Sequence, residues 1–237
     1  MSSRTSRYFG LFKSPSHMAE SLATPIVVVG CGAIGRRLLL LLAQTGFTNL
    51  TFFDDDKVSE ENMGPQGYVP GQLGLAKVEA MAEDLVEILG IEDPNGEDQP
   101  FDYEDRKLED ADIQALSTNT IVFNCTDSME CRAQLSRLCQ DAEVLLIDGR
   151  MAISTFQVLW QVPLAHNPEF ERSLFPSSEA EQTPCTLKAS SWCASTCASL
   201  MLGLLMNYIV NDGVLPAHFI KGDLMPFPSV AEVPNLH

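Results

Sequence analysis

The sequence feature that most constrains the fold is a glycine-rich turn directly after an apolar run. Residues 26–29 are Ile-Val-Val-Val, and Gly30, Gly32 and Gly35 follow in a Gly-x-Gly-x-x-Gly pattern that leads into a leucine-rich helix. The first glycine allows a tight turn, the second lets backbone N–H groups approach a phosphate, and the third lets helix and strand pack closely. The helix N-terminus then offers free N–H groups to an anion. The segment predicts the start of a nucleotide-binding βαβ unit.

An acidic residue at the end of the next apolar run strengthens this interpretation. Asp54 follows residues 49–53 and lies 19 residues after Gly35. This is close to the spacing of about 20 residues that is expected for a carboxylate that binds a ribose hydroxyl. The alternative interpretation is a tight βα turn that binds no ligand.

Composition bounds the number of domains and the kinds of partner. The chain has 237 residues, of which 45% are hydrophobic. This is typical of one large α/β domain, or at most two small ones, with an ample core. The formal net charge of −17 repels nucleic acids and anionic membranes, so neither is expected as a partner. A protein partner would present a basic face, although solubility is an equally simple reason for the charge.

The cysteines indicate a reducing compartment. Seven is an odd number, and their spacing is not that of a disulfide framework, so we expect a cytoplasmic protein. Cys193 and Cys197 are four residues apart, with no second pair and no nearby histidine, so no structural zinc is expected. The apolar stretch 200–210 is interrupted by Asn207 and is short for a membrane span.

Alternating segments predict a doubly wound α/β fold. Strands are predicted near residues 26–29, 49–53, 100–104, 121–124, 144–147, 153–161 and 217–221, and helices near residues 33–45, 74–89, 109–116, 128–140 and 188–210. Strands that alternate with helices in this way form a mostly parallel, Rossmann-like sheet with helices on both faces.

The domain organisation follows from the same pattern. We expect an N-terminal arm over residues 1–22, with a composition that a targeting peptide would also have, and a single domain over residues 23–237. Within the domain, residues 163–187 form a long, irregular crossover loop with four prolines. Loops of this length inside a compact domain are usually functional or mobile.

A polar loop, residues 54–73, is longer than the connection expected after an ordinary dinucleotide-binding strand. The loop carries Asp56, Asn62 and Gln66, and Lys77 lies in the first turn of the helix behind it. A lysine in this position opposes the helix dipole, and a bound phosphate would compensate for this. The alternative is a solvated surface lysine.

A second polar cluster follows the predicted strand 121–124. Asp127 lies just beyond the strand, at the carboxyl end where open α/β sheets bind their ligands. Asp127 is also a candidate N-cap of the next helix, with Ser128 inside the helix. The two roles are compatible, because an N-cap at this edge points into the site. Arg132, five residues on, would serve Asp127, a phosphate or only the solvent.

A third group of polar residues follows the predicted strand 144–147. Asp148, Gly149 and Arg150 come directly after it, so we expect them at the same ligand-binding edge of the sheet. Arg150 would either pair with Asp148 or face an incoming carboxylate, and the sequence leaves both possibilities open.

Six motifs together resemble those of one enzyme family. They are Gly30-Cys31-Gly32-Ala33-Ile34-Gly35, Asp54-x-Asp56-x-Val58-x-x-x-Asn62-x-x-x-Gln66, Gly74-x-x-Lys77, Cys125-Thr126-Asp127-Ser128-x-x-x-Arg132, Asp148-Gly149-Arg150-Met151 and Pro184-Cys185-Thr186. In type, order and spacing they resemble the ThiF/MoeB/HesA family, the adenylyltransferases related to ubiquitin-activating enzymes. The resemblance covers about residues 26–210. Paired Cys-x-x-Cys zinc motifs are absent, as in the short phage and bacterial branch of the family.

The resemblance implies ATP-dependent adenylation of the C-terminal carboxylate of a small ubiquitin-like or sulfur-carrier protein that ends in glycine. It implies that the nucleotide is held by Gly30, Gly32, Gly35, Asp54, Asp56, Asn62, Gln66, Lys77 and Asp127. In this assignment Asp54 holds the ribose, Lys77 contacts the phosphates and Asp127 holds Mg²⁺ beside the α-phosphate. The family is usually homodimeric, and the acidic charge predicts that the substrate protein docks through a basic face.

One departure from the family pattern concerns the polar loop. The family usually carries an arginine directly before the glutamine of this loop, and Pro65 stands there in this chain. A missing phosphate-neutralising guanidinium can cost orders of magnitude in rate. The candidates to replace it are Arg36, Arg37, Arg150, and Arg4 or Arg7 from the arm of a partner subunit.

Two other functions remain open from the sequence. A non-catalytic family member would bind a nucleotide or a partner without turnover, and Pro65 is the feature that favours it. An NAD-dependent oxidoreductase would account for the glycine turn and for Asp54, but not for Lys77, Asp127 or the long polar loop.

Cys185 is a candidate nucleophile. It precedes the last long helix and has Lys188 nearby, and both features lower the pKa of a thiol. The resemblance implies that a cysteine on this crossover segment accepts the acyl group as a thioester or as a persulfide-linked adduct. The alternative is a small buried cysteine where the loop returns to the core.

Overall fold

A computed structural model of the chain describes residues 10–93, 99–165, 167–176, 190–215, 219–225 and 229–231. The helices are α1 (Pro15–Leu22), α2 (Ala33–Thr45), α3 (Glu60–Gln66), α4 (Lys77–Leu89), α5 (Asp110–Gln114), α6 (Met129–Asp141), α7 (Pro168–Arg172) and α8 (Ser191–Val210). The strands are β1 (Ile26–Val29), β2 (Leu50–Phe53), β3 (Phe101–Glu104), β4 (Ile121–Asn124), β5 (Leu145–Ala152), β6 (Thr155–Gln161), β7 (Ile220–Asp223) and β8 (Ser229–Ala231).

All of these strands belong to one sheet, in the order β3-β2-β1-β4-β5-β6-β7-β8. The five strands from β3 to β5 run parallel to their neighbours, and β6, β7 and β8 pair antiparallel. The predicted mostly parallel, doubly wound sheet is thereby confirmed. The strand order reverses at β1, which lies between β2 and β4, and ligands of open α/β sheets bind at such a point beyond the carboxyl ends of the strands.

Helices cover both faces of the sheet, as predicted. Helices α2, α4 and α8 pack together on one face, whereas α6 and α7 pack against the other. The four residues of β1 are all buried and alternate between the two cores: Ile26 and Val28 belong to one, Val27 and Val29 to the other. This explains the continuous apolar run, because a central parallel strand is buried on both sides.

The strand predicted at residues 144–147 is longer than expected. β5 continues through Asp148, Gly149 and Arg150 to Ala152 and forms a hairpin with β6. The prediction that residues 148–150 follow the strand was wrong, because the hydrogen bonds of the antiparallel partner extend it. Ile153, in the turn, has a φ of 54°. Asp148 nevertheless pairs in register with Asn124, the last residue of β4, so it lies at the same edge of the parallel strands.

The polar loop 54–73 contains secondary structure that was not predicted from the sequence. Helix α3 begins after Ser59, whose backbone N–H and hydroxyl both donate to Asn62 Oδ1 at 3.0 Å. A short 3₁₀ turn follows at Pro70–Gln72. The next helix begins at Lys77 rather than at residue 74, so Lys77 is its first residue.

Part of the predicted N-terminal arm is packed against the domain. Residues 15–22 form α1, whose Met18 and Leu22 side chains are buried in the larger core. Ser14 caps the helix by accepting a hydrogen bond from His17 N at 3.1 Å. Of the predicted crossover loop, the structure describes residues 163–165 and 167–176, and Cys185 lies outside the described residues.

Helix α8 is, within the described residues, the one helix whose length and apolar composition would allow it to cross a membrane. It packs against α2, β5 and β6, and Cys193, Cys197, Met201 and Leu205 are buried. Core helices of globular domains have the same composition.

Candidate functional site

The glycine turn has a geometry that only glycine allows at two positions. Gly30 has a φ of 95°, and a Cβ atom on Gly35 would lie 1.8 Å from Gly30 O. This contact is the physical reason for the third glycine, because α2 crosses directly over the end of β1. Gly32 precedes α2, and no side chain caps the helix there. The N–H groups of the first turn are therefore open to an anion.

Asp54 is fixed beneath this turn by the backbone. Its Oδ2 accepts a hydrogen bond from Cys31 N at 2.6 Å, and its Oδ1 accepts one from Asp56 N at 2.9 Å. Burial raises the pKa of Asp54, and the opposing effects of Lys77 and the two N–H groups are smaller. The carboxylate lies at the carboxyl end of β2, beside the glycine turn, and its role in binding a ribose stays a prediction.

Lys77 is held at the same edge by Asp56. Lys77 Nζ donates to Asp56 Oδ2 at 2.7 Å, and Lys77 N donates to Asp56 O at 2.9 Å. The lysine side chain is 7% exposed and that of Asp56 is 66% exposed. The interpretation as a solvated lysine is therefore wrong. Asp56 is the counter-charge that a lysine at the start of a helix requires, and its exposure leaves it free to separate.

Asn62 and Gln66 have different structural roles. Asn62 is buried, and its Oδ1 stabilises the start of α3, as described above. Gln66 ends α3, and its Oε1 is buried without a hydrogen-bond partner in the described part of the chain. A Cβ atom on Gly32 would lie 3.9 Å from that oxygen. The amide of Gln66 therefore lies next to the glycine turn, and one acceptor remains available there.

Tyr68 also lies in this region, although it was not predicted from the sequence as a site residue. Its hydroxyl donates to Cys31 O at 2.6 Å, which links the polar loop to the glycine turn. The guanidinium of Arg36 lies over its ring, 5.0 Å from the centroid. The only sequence signal was an aromatic residue inside a mostly polar loop, and this does not reveal a contact 37 residues away.

Asp127 lies on the turn between β4 and α6 with an exposed side chain. Ser128, not Asp127, caps the helix: Ser128 Oγ accepts from Cys131 N at 3.2 Å. The expectation that Ser128 lies inside the helix was wrong. Among the described residues no partner is recorded for the carboxylate of Asp127, so the side chain is free to bind a cation or a ligand.

A buried ionic network supports the turn that carries Asp127. Asp148 accepts from Asn124 Nδ2 at 2.9 Å, from Arg150 Nε at 2.5 Å and from Arg132 Nη1. Arg132 Nη2 also donates to Thr126 O, one residue before Asp127. Both arginines therefore pair with Asp148 in this structure. Arg132 connects this carboxylate to the backbone of the turn and acts as a positioning residue.

The arginines proposed as replacements at position 65 differ in their partners. Arg36 pairs with Asp84 at 2.6 Å, and Arg150 pairs with Asp148. Arg37 donates to Ala33 O at 2.8 Å, to Gln66 O at 3.2 Å and to Ser195 Oγ at 2.9 Å, all of which are uncharged groups. Arg4 and Arg7 lie outside the described residues.

The cysteines of the described residues are poor nucleophiles. Burial raises the pKa of each of the six thiols, namely Cys31, Cys125, Cys131, Cys139, Cys193 and Cys197. The pKa of Cys197 is raised to about 12. Cys185, the candidate nucleophile, is outside the described residues, so its proposed role stays a prediction.

Comparison with known proteins identifies the family. A family model described as the ThiF family matches residues 6–229. The chain belongs to the ThiF family. Molybdopterin-synthase adenylyltransferase of Haemophilus influenzae is 33% identical over 131 residues, which are 54% of this chain and 50% of that protein. Ubiquitin-like modifier-activating enzyme 5 of Caenorhabditis elegans is 31% identical over 129 residues, 52% of this chain and 31% of that protein.

Another relative matches most of the chain. Ubiquitin-like modifier-activating enzyme 5 of Aedes aegypti is 25% identical over 225 residues, which are 89% of this chain and 57% of that protein. The chain thus spans between about a third and somewhat more than half of the length of these curated relatives.

Solved structures support the fold. The crystal structure of Escherichia coli MccB with ATP aligns with a TM-score of 0.70 and 16% identity, over 92% of this chain and 68% of that one. The structure of MccB with MccA aligns with a TM-score of 0.72 and 15% identity, over 93% and 67%. At this identity the likeness shows a shared fold, and the site is argued from this chain's own residues.

Proposed function

We propose that this ThiF-family chain activates a carboxylate by adenylation with ATP. The proposed substrate is the C-terminal carboxylate of a small ubiquitin-like or sulfur-carrier protein that ends in glycine. The names of the relatives support this proposal, since they include a molybdopterin-synthase adenylyltransferase and ubiquitin-like modifier-activating enzymes. A solved structure of similar fold holds ATP.

One structural observation carries the proposal: three kinds of group meet at the carboxyl edge of β1, β2 and β4. These are a helix N-terminus after the glycine turn that no side chain caps, a lysine whose counter-ion is exposed, and the exposed carboxylate of Asp127, which has no partner among the described residues. A helix N-terminus and a lysine suit phosphate groups, and a free carboxylate suits a hard cation such as Mg²⁺. The residues present therefore fit an ATP–Mg²⁺ complex.

The proposed reaction assigns a role to each group. A carboxylate oxygen of the substrate forms a bond to the α-phosphorus, and the bond to pyrophosphate breaks with its electron pair leaving on pyrophosphate. Mg²⁺, when bound, neutralises charge that develops on the phosphate oxygens. Asp127 would hold this cation, Lys77 would exchange Asp56 for a phosphate, and Asp54 would orient the ribose. The polyphosphate would lie along the N–H groups of the glycine turn.

The first experiment is pyrophosphate release from ATP–Mg²⁺ in the presence of candidate small proteins that end in glycine. We expect release with one candidate, and we expect Asp127→Ala to abolish it. Asp127 is exposed and makes no recorded contact with the described residues, so this variant should fold. Asp141→Ala removes an exposed acid from the opposite end of α6 and is the matched control. Equal release by both variants would contradict the proposal.

A second candidate function is a non-catalytic member of the family, and the proline at position 65 favours it. Pro65 lies within α3 and offers no cation to a nucleotide. ATP binding without pyrophosphate release for any candidate would support this function. An NAD-dependent oxidoreductase is disfavoured by the family match, and tight NAD binding without ATP binding would be its signature.

The remaining expectations concern partners and location. We propose a homodimer in the cytoplasm, with a substrate protein that docks through a basic face because the chain carries a net charge of −17. Binding should then weaken as the salt concentration rises, since screening reduces the attraction between opposite charges. Transfer of the activated carboxylate to Cys185 is part of this proposal, and a thioester trapped on wild type but not on Cys185→Ala would support it.

A further inference from the structure

Arg37 lacks a counter-charge among the residues that the structure describes. In the part of the chain that the structure describes, the other lysines and arginines that are not exposed each have a carboxylate within 4.0 Å, namely Arg36, Lys77, Arg106, Arg132 and Arg150. The guanidinium of Arg37 instead contacts two carbonyl oxygens and one hydroxyl. In a chain with 32 acidic and 15 basic residues, a half-buried cation without an acid is unexpected.

The position of this guanidinium is defined by its hydrogen bonds. Arg37 Nη1 lies 2.8 Å from the oxygen of Ala33, the first residue of α2 after Gly32. The same atom lies 3.2 Å from the oxygen of Gln66, which directly follows Pro65. Side chains on a helix lean toward its N-terminus, so Arg37 extends back to the first turn. The guanidinium therefore lies between the glycine turn and position 65.

Gly67 makes room for this arrangement. It has a φ of 83°, and a Cβ atom there would lie 3.2 Å from Arg36 Nη1 and 3.6 Å from Arg37 Nη2. The end of α3 can therefore approach both guanidinium groups closely. Arg36 is already engaged by Asp84 and by the ring of Tyr68. Arg37 has only neutral partners within the described segments, so it can turn to an anion without separating an ion pair found there.

We infer that Arg37 neutralises the β- and γ-phosphates of ATP and the departing pyrophosphate, in the place of the arginine that Pro65 replaces. The inference rests on the proposed function and names a residue that the family motif does not contain. Arg37 donates N–H groups to phosphate oxygens and transfers no proton, and the electron pair of the broken bond stays on pyrophosphate. Pro65 is then compatible with catalysis, because the missing cation comes from α2.

The test compares two nucleotides that differ only in these phosphates. Binding of ATP and of AMP, each with Mg²⁺, is measured by calorimetry for wild type and for Arg37→Ala. We expect the affinity for ATP to fall by about 10- to 100-fold, the range for hydrogen bonds between charged groups, and the affinity for AMP to change by less than about twofold. Arg137→Ala, which removes an exposed arginine from α6, is the control and should change neither affinity.

A structural role for Arg37 would give a different result. The side chain joins α2 to α3 and α8, so a variant that only loosened this packing would lose ATP and AMP affinity together, with a lower melting temperature. An equal loss for both nucleotides, or no loss for ATP, would overturn the inference. If wild type binds neither nucleotide, the proposed function itself fails. That outcome is distinct from an Arg37→Ala variant that binds ATP as tightly as wild type does.

A compensating substitution tests the position as well as the charge. Introducing Pro65→Arg into Arg37→Ala returns a guanidinium to the end of α3, next to the place that the lost one occupied. We expect this double variant to recover at least about tenfold of the lost ATP affinity. Pro65→Gln in the same background adds a long polar side chain without charge and should not. A folded double variant without recovery would contradict the placement of Arg37 beside position 65.

Discussion

Replacement of Asp148 by asparagine is the change with the most predictable effect on stability. The carboxylate has no exposed surface, and the side chains of Arg132 and Arg150 are only 6% and 13% exposed. The substitution keeps the shape of the side chain but removes the negative charge between two buried guanidinium groups. The new amide would also direct two N–H donors at groups that are themselves donors.

The expected loss follows from the burial of the partners. Breaking a buried ion pair by removal of one charge costs about 3–5 kcal/mol, because the other charge stays buried without compensation. For a domain of this size, each kcal/mol lost from the free energy of unfolding lowers the melting temperature by about 2–4 °C. We therefore expect Asp148→Asn to melt about 6–20 °C below wild type, and urea unfolding to show the same loss of free energy.

The control is the same substitution at an exposed ion pair. Asp212 pairs with Lys13 at 2.5 Å, and both side chains are more than half exposed, so Asp212→Asn should melt close to wild type. Its φ of 52° is one that asparagine tolerates. If Asp148→Asn lost less than about 1 kcal/mol, the network would be hydrated in solution and could not hold the turn of Asp127 rigidly.

Three further predictions concern the glycine turn and the thiols. Gly35→Ala should lose at least about 1–3 kcal/mol in urea unfolding, because its Cβ would meet the backbone of Gly30, whereas Gly64→Ala in α3, with open space around it, should lose none. Burial holds the pKa of Asp54 above its unfolded value of about 3.9. The folded state therefore binds the proton more tightly, and stability falls as pH rises through the interval between the two pKa values. Asp54→Asn should lack this decrease when urea unfolding is followed as the pH is raised above about 4, and an identical pH profile would contradict the burial. In native alkylation at pH 7.5, the six described thiols should react slowly, so mass spectrometry should assign any fast-reacting thiol to Cys185.

The parts of the site that sequence could predict are those set by local chemistry. The spacing of Gly30, Gly35 and Asp54 encodes the turn and the carboxylate beneath it, and the structure has both in place. Helix α4 was predicted to begin near residue 74, three residues before its first residue, Lys77. The sequence shows a lysine near a helix start, but not that Asp56, 21 residues earlier, is its counter-ion.

The parts that sequence could not predict depend on contacts between distant segments. β5 was expected to end before Asp148, because the continuous apolar run stops at Ile147. The strand continues because β6 pairs with it from Leu146 to Ala152. The partners of Arg37 likewise could not be predicted from the sequence, because Ser195 is 158 residues away along the chain. A local pattern marks which residues are polar, whereas the fold decides which of them are left without a counter-charge.

The burial of each cation's carboxylate partner distinguishes the cations that stay in an ion pair from those that can bind a nucleotide. Arg132 and Arg150 share a fully buried carboxylate, and separating them from it would leave an uncompensated charge in the core. Lys77 is buried, but its partner Asp56 is exposed, so water can hydrate this carboxylate when the pair separates and a phosphate can take its place beside the lysine. Arg37 forms no ion pair with a carboxylate of the described residues. By this criterion Lys77 and Arg37 are the cations free to meet a nucleotide among the buried and half-buried ones that the structure describes beside the glycine turn, whereas the two arginines on Asp148 hold the turn that presents Asp127.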